Sequence, residues 1–194
     1  MSRQRRERQA ERAAPAGPDR ALRLVEAVLW AGVVALFVIR VVPQARAAVG
    51  WGAAGQRAPG VTFAMLDGTD LPLARLKGQV VLVNFWATWC PPCRAEMPGL
   101  ESVYEAKHGA GFTVVGVSLD DKTPPQVAAF LRDHGIAYPV AMGTSEAVAA
   151  FGGVSSLPTS YLIDRDGRVR YTVHGMFEGV ALRAAVDRLL AEHG

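Results

Sequence analysis

The sequence predicts an α/β fold in which helices flank one mixed β-sheet, preceded by a separate N-terminal segment. Two valine-rich apolar runs, residues 80–87 and 112–119, are typical of strands that are buried on both faces. A stretch with helical spacing of apolar residues follows each run. Near the end of the chain, Asp164-Arg165-Asp166-Gly167 separates two short β-rich runs and indicates a hairpin. Strands that alternate with helices and then form a hairpin favour one mixed sheet.

The charge distribution favours a membrane role for the N-terminus. The chain has 194 residues, 50% of them hydrophobic, and a net charge of +3. Arginines are concentrated before the first apolar run, at Arg3, Arg5, Arg6, Arg8, Arg12, Arg20 and Arg23. A basic arm can bind nucleic acid, but here an apolar stretch follows directly and no aromatic residue lies among the arginines. Membrane orientation therefore explains the arginines better.

The first 58 residues divide into three predicted segments. Residues 1–20 contain almost no large apolar side chains and are predicted to be a disordered, basic, cytoplasmic segment. Residues 21–42 are predicted to form a transmembrane signal-anchor helix, although the uncharged centre, 27–39, spans only about 20 Å of a roughly 30 Å hydrocarbon core. The flanking charged side chains must therefore reach the headgroups. A signal peptide cleaved near Ala45-Arg46-Ala47 is the alternative, and both place the remaining chain outside the cytoplasm. Residues 43–58 are predicted to be a linker.

Residues 59–194 are predicted to form the compact domain. Within it, Asp67-Gly68 is a turn signal, Pro124 is placed to open a helix, and Met97, Leu100 and Val103 form an apolar stripe on the helix after the cysteines. The remaining elements follow from short apolar runs and amphipathic spacing: strands at 61–65, 138–141, 160–163 and 169–173, a short helix at 145–151, and a closing helix at 180–190.

The two cysteines of the chain form one motif, Cys90-Pro91-Pro92-Cys93. A disulfide framework needs more cysteines and a structural zinc site needs four ligands, while the histidines are scattered. The motif lies where a buried strand ends and a helix begins, and a helix N-terminus stabilises a thiolate. We therefore predict a redox-active cysteine pair without metal or added cofactor, with Cys90 at the exposed helix tip as attacking thiol and Cys93 as resolving thiol.

The prolines of the motif predict a reducing centre. Neither Pro91 nor Pro92 has a backbone N–H, so the first helical turn loses two donors to the Cys90 sulfur. A less stabilised thiolate makes the dithiol a stronger reductant.

Three further positions are candidates for the site. Glu96 lies three residues after Cys93 on the same helical face, where it either handles a proton or serves as a favourable acid in the first turn. Trp89 is expected to shield the disulfide, whereas Trp86 is expected to be a core residue. Leu157-Pro158-Thr159 precedes a strand; the proline either ends a loop, which is the usual case, or forms a cis bond.

The run from Asn84 to Pro98, NFWATWCPPCRAEMP, resembles the signature of the TlpA/ResA-like branch of thioredoxin-like proteins. The resemblance extends from Pro59 to about Leu190 and includes weaker matches at Asp67-Gly68, Leu76-Lys77-Gly78, Gly116-Val117-Ser118, Leu157-Pro158-Thr159 and Ile163 to Gly167. It implies a thioredoxin-like fold with a central mixed sheet flanked by helices. It also implies an extra β/α insertion around residues 124–142.

The resemblance assigns roles residue by residue. It implies that Cys90 is the nucleophile, Cys93 the resolving cysteine and Glu96 the active-site glutamate. Pro158 matches a cis-proline that faces the disulfide, and Leu157 would offer backbone hydrogen bonds to a peptide. With Trp89, these two residues are the predicted substrate contacts. Asn84 departs from the buried aspartate of many cytoplasmic thioredoxins, which favours Glu96 as the proton handler.

Members of this branch are extracytoplasmic, anchored by an N-terminal helix, and reduced by an integral-membrane thiol electron donor. Several reduce apocytochrome c before haem attachment, and others serve copper-site assembly. The resemblance therefore implies a membrane-bound, periplasmic reductase of protein disulfides, with cytochrome c maturation as one candidate role and no nucleic-acid partner.

Two other functions are weighed against this prediction. A redox-inactive binding or metal-delivery module would use Cys90 and Cys93 to hold a soft metal such as Cu(I). A peroxiredoxin-like peroxidase needs threonine or serine three residues before its cysteine and proline four residues earlier. Those positions are Ala87 and Val83, so the peroxidase is disfavoured.

Overall fold

The computed structural model describes residues 23, 26–32 and 55–192. The chain divides into two compact units, Met1–Ala45 and Arg46–Gly194. In the first unit, residues 23 and 26–32 are helical and exposed. Residues 1–20 and most of the predicted signal-anchor helix and linker lie outside the described residues. Within the described ranges, no helix is both long enough and apolar enough to cross a membrane.

Seven strands form one mixed sheet within residues 55–192, in the order β2-β1-β5-β4-β3-β6-β7. The strands are β1 Thr62–Met65, β2 Asp70–Pro72, β3 Val80–Trp86, β4 Phe112–Ser118, β5 Val140–Met142, β6 Thr159–Ile163 and β7 Val169–His174. The α-helices of this unit are α1 Pro91–Lys107, α2 Pro124–Asp133, α3 Ser145–Ala150 and α4 Gly179–Ala191. Short 3-10 helices occupy Leu73–Leu76 and His108–Ala110. The predicted α/β fold with a mixed sheet is confirmed.

Strand β3 lies inside the sheet, and all seven of its residues are buried. It pairs in parallel with β4 and antiparallel with β6. Alternate side chains enter two separate cores, Val80, Leu82 and Trp86 on one face and Val81, Val83 and Phe85 on the other. Asn84 falls on the first face and is fully buried, so a polar side chain interrupts an otherwise apolar row.

The segment predicted as an insertion contributes both a helix and an internal strand. Strand β5 pairs in parallel with β4 and antiparallel with β1, which places it inside the sheet. Helix α2 begins with Pro124 and Pro125, and its Phe130 stacks on Trp86 with ring centroids 5.8 Å apart. Trp86 is fully buried, as expected from the sequence. The sequence did not predict β2, because three residues carry no recognisable alternation; the hairpin turn around Asp67-Gly68 pairs it with β1.

Helices α1 and α4 cover the first face of the sheet. Leu100 and Val103 of α1 are buried in the same apolar cluster as three residues of α4, namely Leu182, Val186 and Leu189. Burial of these side chains holds the C-terminal helix against the helix that begins at the cysteines.

Replacement of Leu182 by alanine tests this helix packing. Leu182 is fully buried, whereas Val180 of the same helix is 85% exposed. We expect Leu182→Ala to lower the free energy of unfolding by about 2–5 kcal/mol, because it removes apolar contacts and leaves a cavity. The control Val180→Ala should change it by less than about 0.5 kcal/mol. Guanidinium unfolding curves measure both; similar losses for the two variants would contradict the packing described.

Candidate redox site

The two cysteines form a disulfide at the N-terminus of α1. Cys90 is the N-cap residue, and its Cα lies 5.3 Å from that of Cys93. The Cys93 N–H donates to the Cys90 Sγ at 3.3 Å. Pro91 and Pro92 occupy the intervening positions of the first turn and are exposed. Cys90 is only 4% exposed, which corrects the expectation of an exposed helix tip; both cysteines belong to the apolar cluster beneath α1.

A carboxylate fixes the loop that connects β3 to Cys90. Asp120 accepts hydrogen bonds from the Thr88 N–H at 2.9 Å and the Thr88 hydroxyl at 2.6 Å. The Ser118 hydroxyl donates to the same carboxylate at 2.7 Å. Asp120 was not singled out from the sequence. Its place just beyond the end of β4 was a usable signal, because neighbouring parallel strands end at the same edge of a sheet.

An open cleft of about 470 Å³ borders the disulfide. Trp89, Cys90, Pro91 and Pro92 line it on one side, and residues 154–157 with Leu119 complete the lining. Trp89 is 63% exposed and contributes an apolar surface to the cleft; that it shields the disulfide stays a prediction.

The loop before β6 has the cis geometry that the family resemblance implies. The Leu157–Pro158 bond is cis, and the Pro158 carbonyl accepts a hydrogen bond from the Gly175 N–H at 2.8 Å. The Thr159 hydroxyl donates to the Ser156 carbonyl at 2.8 Å. Leu157 lines the cleft, whereas Pro158 is buried. Of the three predicted substrate contacts, the structure therefore places Trp89 and Leu157 on the open cleft.

Glu96 of α1 is buried, and both of its carboxylate oxygens accept hydrogen bonds. Its side chain is 5% exposed. The Asn84 amide donates to Oε1 at 2.8 Å, and the Phe177 N–H donates to Oε2 at 2.8 Å. The Asn84 amide also donates to the Ser160 hydroxyl at 2.9 Å. This environment differs from that of a solvated acid in the first turn of a helix, so the proton-handling interpretation is favoured.

Burial raises the pKa of the Glu96 carboxyl from 4.5 to about 7. The hydrogen bonds from Phe177 and Asn84 lower this pKa in part, and the negative charge of Glu178 raises it further. Burial also raises the pKa of Tyr138 well above its ordinary value, with smaller contributions from the charges of Glu96 and Glu101. A carboxyl group that titrates near neutral pH can both accept and donate a proton under physiological conditions.

Two residues of the hydrogen-bond network around Glu96, Ser160 and Phe177, were not identified from the sequence. Ser160 lies directly opposite Asn84 in the antiparallel pairing of β3 with β6, so the strand register brings both to one point. A polar residue in the valine-rich run of β3 was the available signal. Phe177 contributes a main-chain N–H, for which no side-chain pattern exists.

The family of the chain follows from comparison with known proteins. The family model for Redoxin matches residues 53–187, which include every element of the redox site. The chain belongs to the redoxin family. Within it, the chain is 37% identical over 115 residues to the thiol-disulfide oxidoreductase ResA of Bacillus thuringiensis strain Al Hakam. That match covers 59% of this chain and 66% of the relative, slightly less than two thirds of its length.

Solved structures share the fold of this redoxin family member. A thiol:disulfide interchange protein of the thioredoxin family from Chlorobium tepidum TLS aligns with a TM-score of 0.65 and 36% identity, over 71% of this chain and 98% of that protein. A secreted thiol-disulfide isomerase from Corynebacterium glutamicum aligns with a TM-score of 0.65 and 27% identity, over 69% and 85% of the two chains. The thioredoxin-like fold is confirmed. The names of these homologues support two predictions: that the chain is a TlpA/ResA-like protein, and that its class of enzyme is thiol-disulfide oxidoreductase.

The pH dependence of stability tests the burial of Glu96. Because the folded-state pKa lies above the ordinary value of 4.5, the folded protein holds this proton more tightly than the unfolded chain. Stability should therefore fall as the pH rises from about 4.5 to 7, by up to about 3 kcal/mol, and then level off.

The variant Glu96→Gln isolates this contribution. Glutamine keeps the size of the side chain but does not titrate, so the difference in unfolding free energy between the two proteins should change across this window. Urea unfolding of the oxidised proteins at intervals between pH 4 and 8 measures the difference. A constant difference would show that Glu96 titrates at an ordinary pKa.

Proposed function

We propose that this chain is an extracytoplasmic reductase of protein disulfides, with Cys90 as its nucleophile. The observation that carries the proposal is the Cys90–Cys93 pair, which borders an open cleft and begins the helix that also carries the buried carboxyl group of Glu96. The cleft admits a substrate segment to Cys90. Glu96 supplies a proton acceptor on the inner side, where Cys93 is fully buried.

The reduced protein acts in two steps. The Cys90 thiolate attacks one sulfur of a substrate disulfide; a mixed disulfide forms, and the other substrate sulfur leaves as a thiolate that takes a proton from solvent. Cys93 then loses its proton to Glu96 and attacks the Cys90 Sγ. The Cys90–Cys93 disulfide is formed, and the second substrate sulfur leaves as a thiolate that takes a proton from solvent. Two electrons pass from the enzyme to the substrate.

The polypeptide backbone around Cys90 supports the reducing direction. Among the described residues, the Cys93 N–H is the donor that reaches the Cys90 Sγ. Pro91 and Pro92 have no N–H to add, so the thiolate form receives little stabilisation from the helix N-terminus. A weakly stabilised thiolate favours release of electrons and formation of the disulfide.

Location and partners complete the proposal. Residues 21–42 anchor the chain in the cell membrane as a single signal-anchor helix, residues 1–20 remain in the cytoplasm, and residues 59–194 act on the periplasmic side. The arginines before the apolar run support this orientation. The secreted relative from Corynebacterium glutamicum supports an extracytoplasmic site of action. A membrane-embedded thiol donor reduces the Cys90–Cys93 disulfide after each turnover. The substrates of the enzyme are disulfide-bearing envelope proteins, with apocytochrome c as one candidate.

Trapping of the mixed disulfide tests the mechanism. In Cys93→Ser, Cys90 can still attack a substrate, but no resolving thiol is present to release it. We expect disulfide-linked adducts to accumulate on non-reducing gels, and mass spectrometry to identify envelope proteins joined through Cys90. Cys90→Ser is the matched control and should capture none. Equal capture by both variants, or by neither, would contradict the assigned roles.

The reduction potential tests the direction of electron flow. We expect a value closer to the roughly −270 mV of thioredoxin than to the roughly −120 mV of the oxidant DsbA. Equilibration with defined glutathione mixtures, followed by thiol counting, measures it. The variant Pro91→Ala restores one N–H near the Cys90 sulfur and should make the potential less negative. A wild-type value near −120 mV would contradict the reductase.

A metal-delivery module would behave differently in an activity assay. Reduction of insulin disulfides by the dithiol form is expected of the enzyme and is not expected of a redox-inactive binder. Absence of insulin reduction together with Cu(I) binding by Cys90 and Cys93 would favour the delivery function.

A further inference from the structure

Helices α1 and α4 touch through two glycines. A Cβ atom added to Gly179 would lie 3.1 Å from the Cα of Gly99, and one added to Gly99 would lie 3.4 Å from the Cα of Gly179. The atoms nearest to each glycine are therefore main-chain atoms of the other glycine. At this point the two helices approach each other with no side chain between them.

The same two helices make a second contact further along their length. Lys107 of α1 forms an ion pair with Asp187 of α4 at 2.5 Å. Each partner lies eight residues beyond its glycine, so the two helices run in the same direction. The first turn of α4 is adjacent to the middle of α1 around Gly99, two turns after the cysteines. Buried Leu182 and Val186 of α4 lie between these two contacts along the chain. The glycine contact is therefore one end of a continuous helix–helix interface.

The same end of the interface carries the main-chain donor to Glu96. Glu96 lies three residues before Gly99, and Phe177 lies two residues before Gly179. The Phe177 N–H reaches the Glu96 Oε2 at 2.8 Å, and the Phe177 side chain is buried in the core of these helices. A shift of the first turn of α4 away from α1 would also move the Phe177 N–H away from the carboxylate, because Phe177 and the first turn of α4 belong to one short segment.

We propose that Gly99 and Gly179 are a positioning pair whose side-chain-free contact sets the hydrogen bond from Phe177 to the Glu96 carboxylate. The pair does not touch the reacting sulfurs and acts through Glu96. Its importance for catalysis rests on the proposed function of Glu96 as the proton acceptor of Cys93, but its effect on Glu96 is measured without turnover.

Two other titratable groups interact with Glu96 and must be considered when its titration is measured. Glu178 precedes α4 and Tyr138 lies between α2 and β5; both interact electrostatically with Glu96. The Phe177 hydrogen bond lowers the pKa of Glu96 more than Glu178 raises it. Displacement of α4 therefore raises the titration midpoint of Glu96, although it also moves the charge of Glu178. The substitution Glu178→Gln removes this second effect.

The experiment measures the titration of Glu96 directly in the oxidised, full-length protein. The carboxyl carbon signal of Glu96 is identified by its loss in Glu96→Gln and followed against pH by NMR. Gly99→Ala should raise the midpoint least, because its added Cβ would lie at 3.4 Å, and Gly179→Ala more, because its added Cβ would lie at 3.1 Å. Gly179→Val should raise it most, by roughly one pH unit. The amide proton signal of Phe177 should move upfield in the same order. The shifts should persist in the Glu178→Gln background.

Gly109→Ala is the matched control. Gly109 is exposed, and an added Cβ would meet no atom within 4 Å, so this substitution should leave the Glu96 midpoint and the Phe177 signal unchanged. If Gly179→Val does not fold, as judged by circular dichroism, the two alanine variants decide. Unchanged or lowered midpoints in both alanine variants would overturn the positioning pair. A raised midpoint without a change in the pH profile of insulin reduction would instead contradict the proposed role of Glu96.

Discussion

The buried carboxylate of Glu96 is the constraint on which the rest of the site depends. A charge in an apolar core is costly unless hydrogen bonds satisfy it, and here three separate parts of the chain meet to do so. Asn84 comes from strand β3, Phe177 from the segment before the last helix, and Glu96 itself from the helix that begins at the cysteines. Strand order and helix packing must therefore both be correct before the carboxyl group acquires a pKa near 7.

The outer side of the site is organised by a second polar cluster. Asp120 holds Thr88 through two hydrogen bonds and so fixes the loop that leads into Cys90. The cis Leu157–Pro158 loop lies across the cleft, tied to Gly175 through the Pro158 carbonyl. The disulfide thus borders an open cleft and begins the helix whose buried face carries the Glu96 carboxyl group. This division suits a reaction in which Cys90 meets the substrate and Cys93 stays buried.

Much of this molecule was predictable from local patterns. The buried strands β3 and β4, the closing hairpin and helix, the cysteine pair and the core position of Trp86 follow from runs of apolar residues and motif spacing. The short strand β2 was missed because three residues carry no pattern of their own. Family resemblance was needed to select the cis form of Pro158 and to favour Glu96 as a proton handler over an ordinary first-turn acid.

The sequence by itself determined the alternation of side chains along β3, the helix N-terminus at Cys90 and the absence of N–H groups at Pro91 and Pro92, because each depends only on neighbouring residues. Tertiary structure alone decided the exposure of Trp89, the burial of Cys90, and the partners of Glu96. These features depend on main-chain groups and strand registers that lie far apart in sequence. The contact of Gly179 with Gly99 was likewise decided by tertiary structure, since it requires α4 to pack against α1.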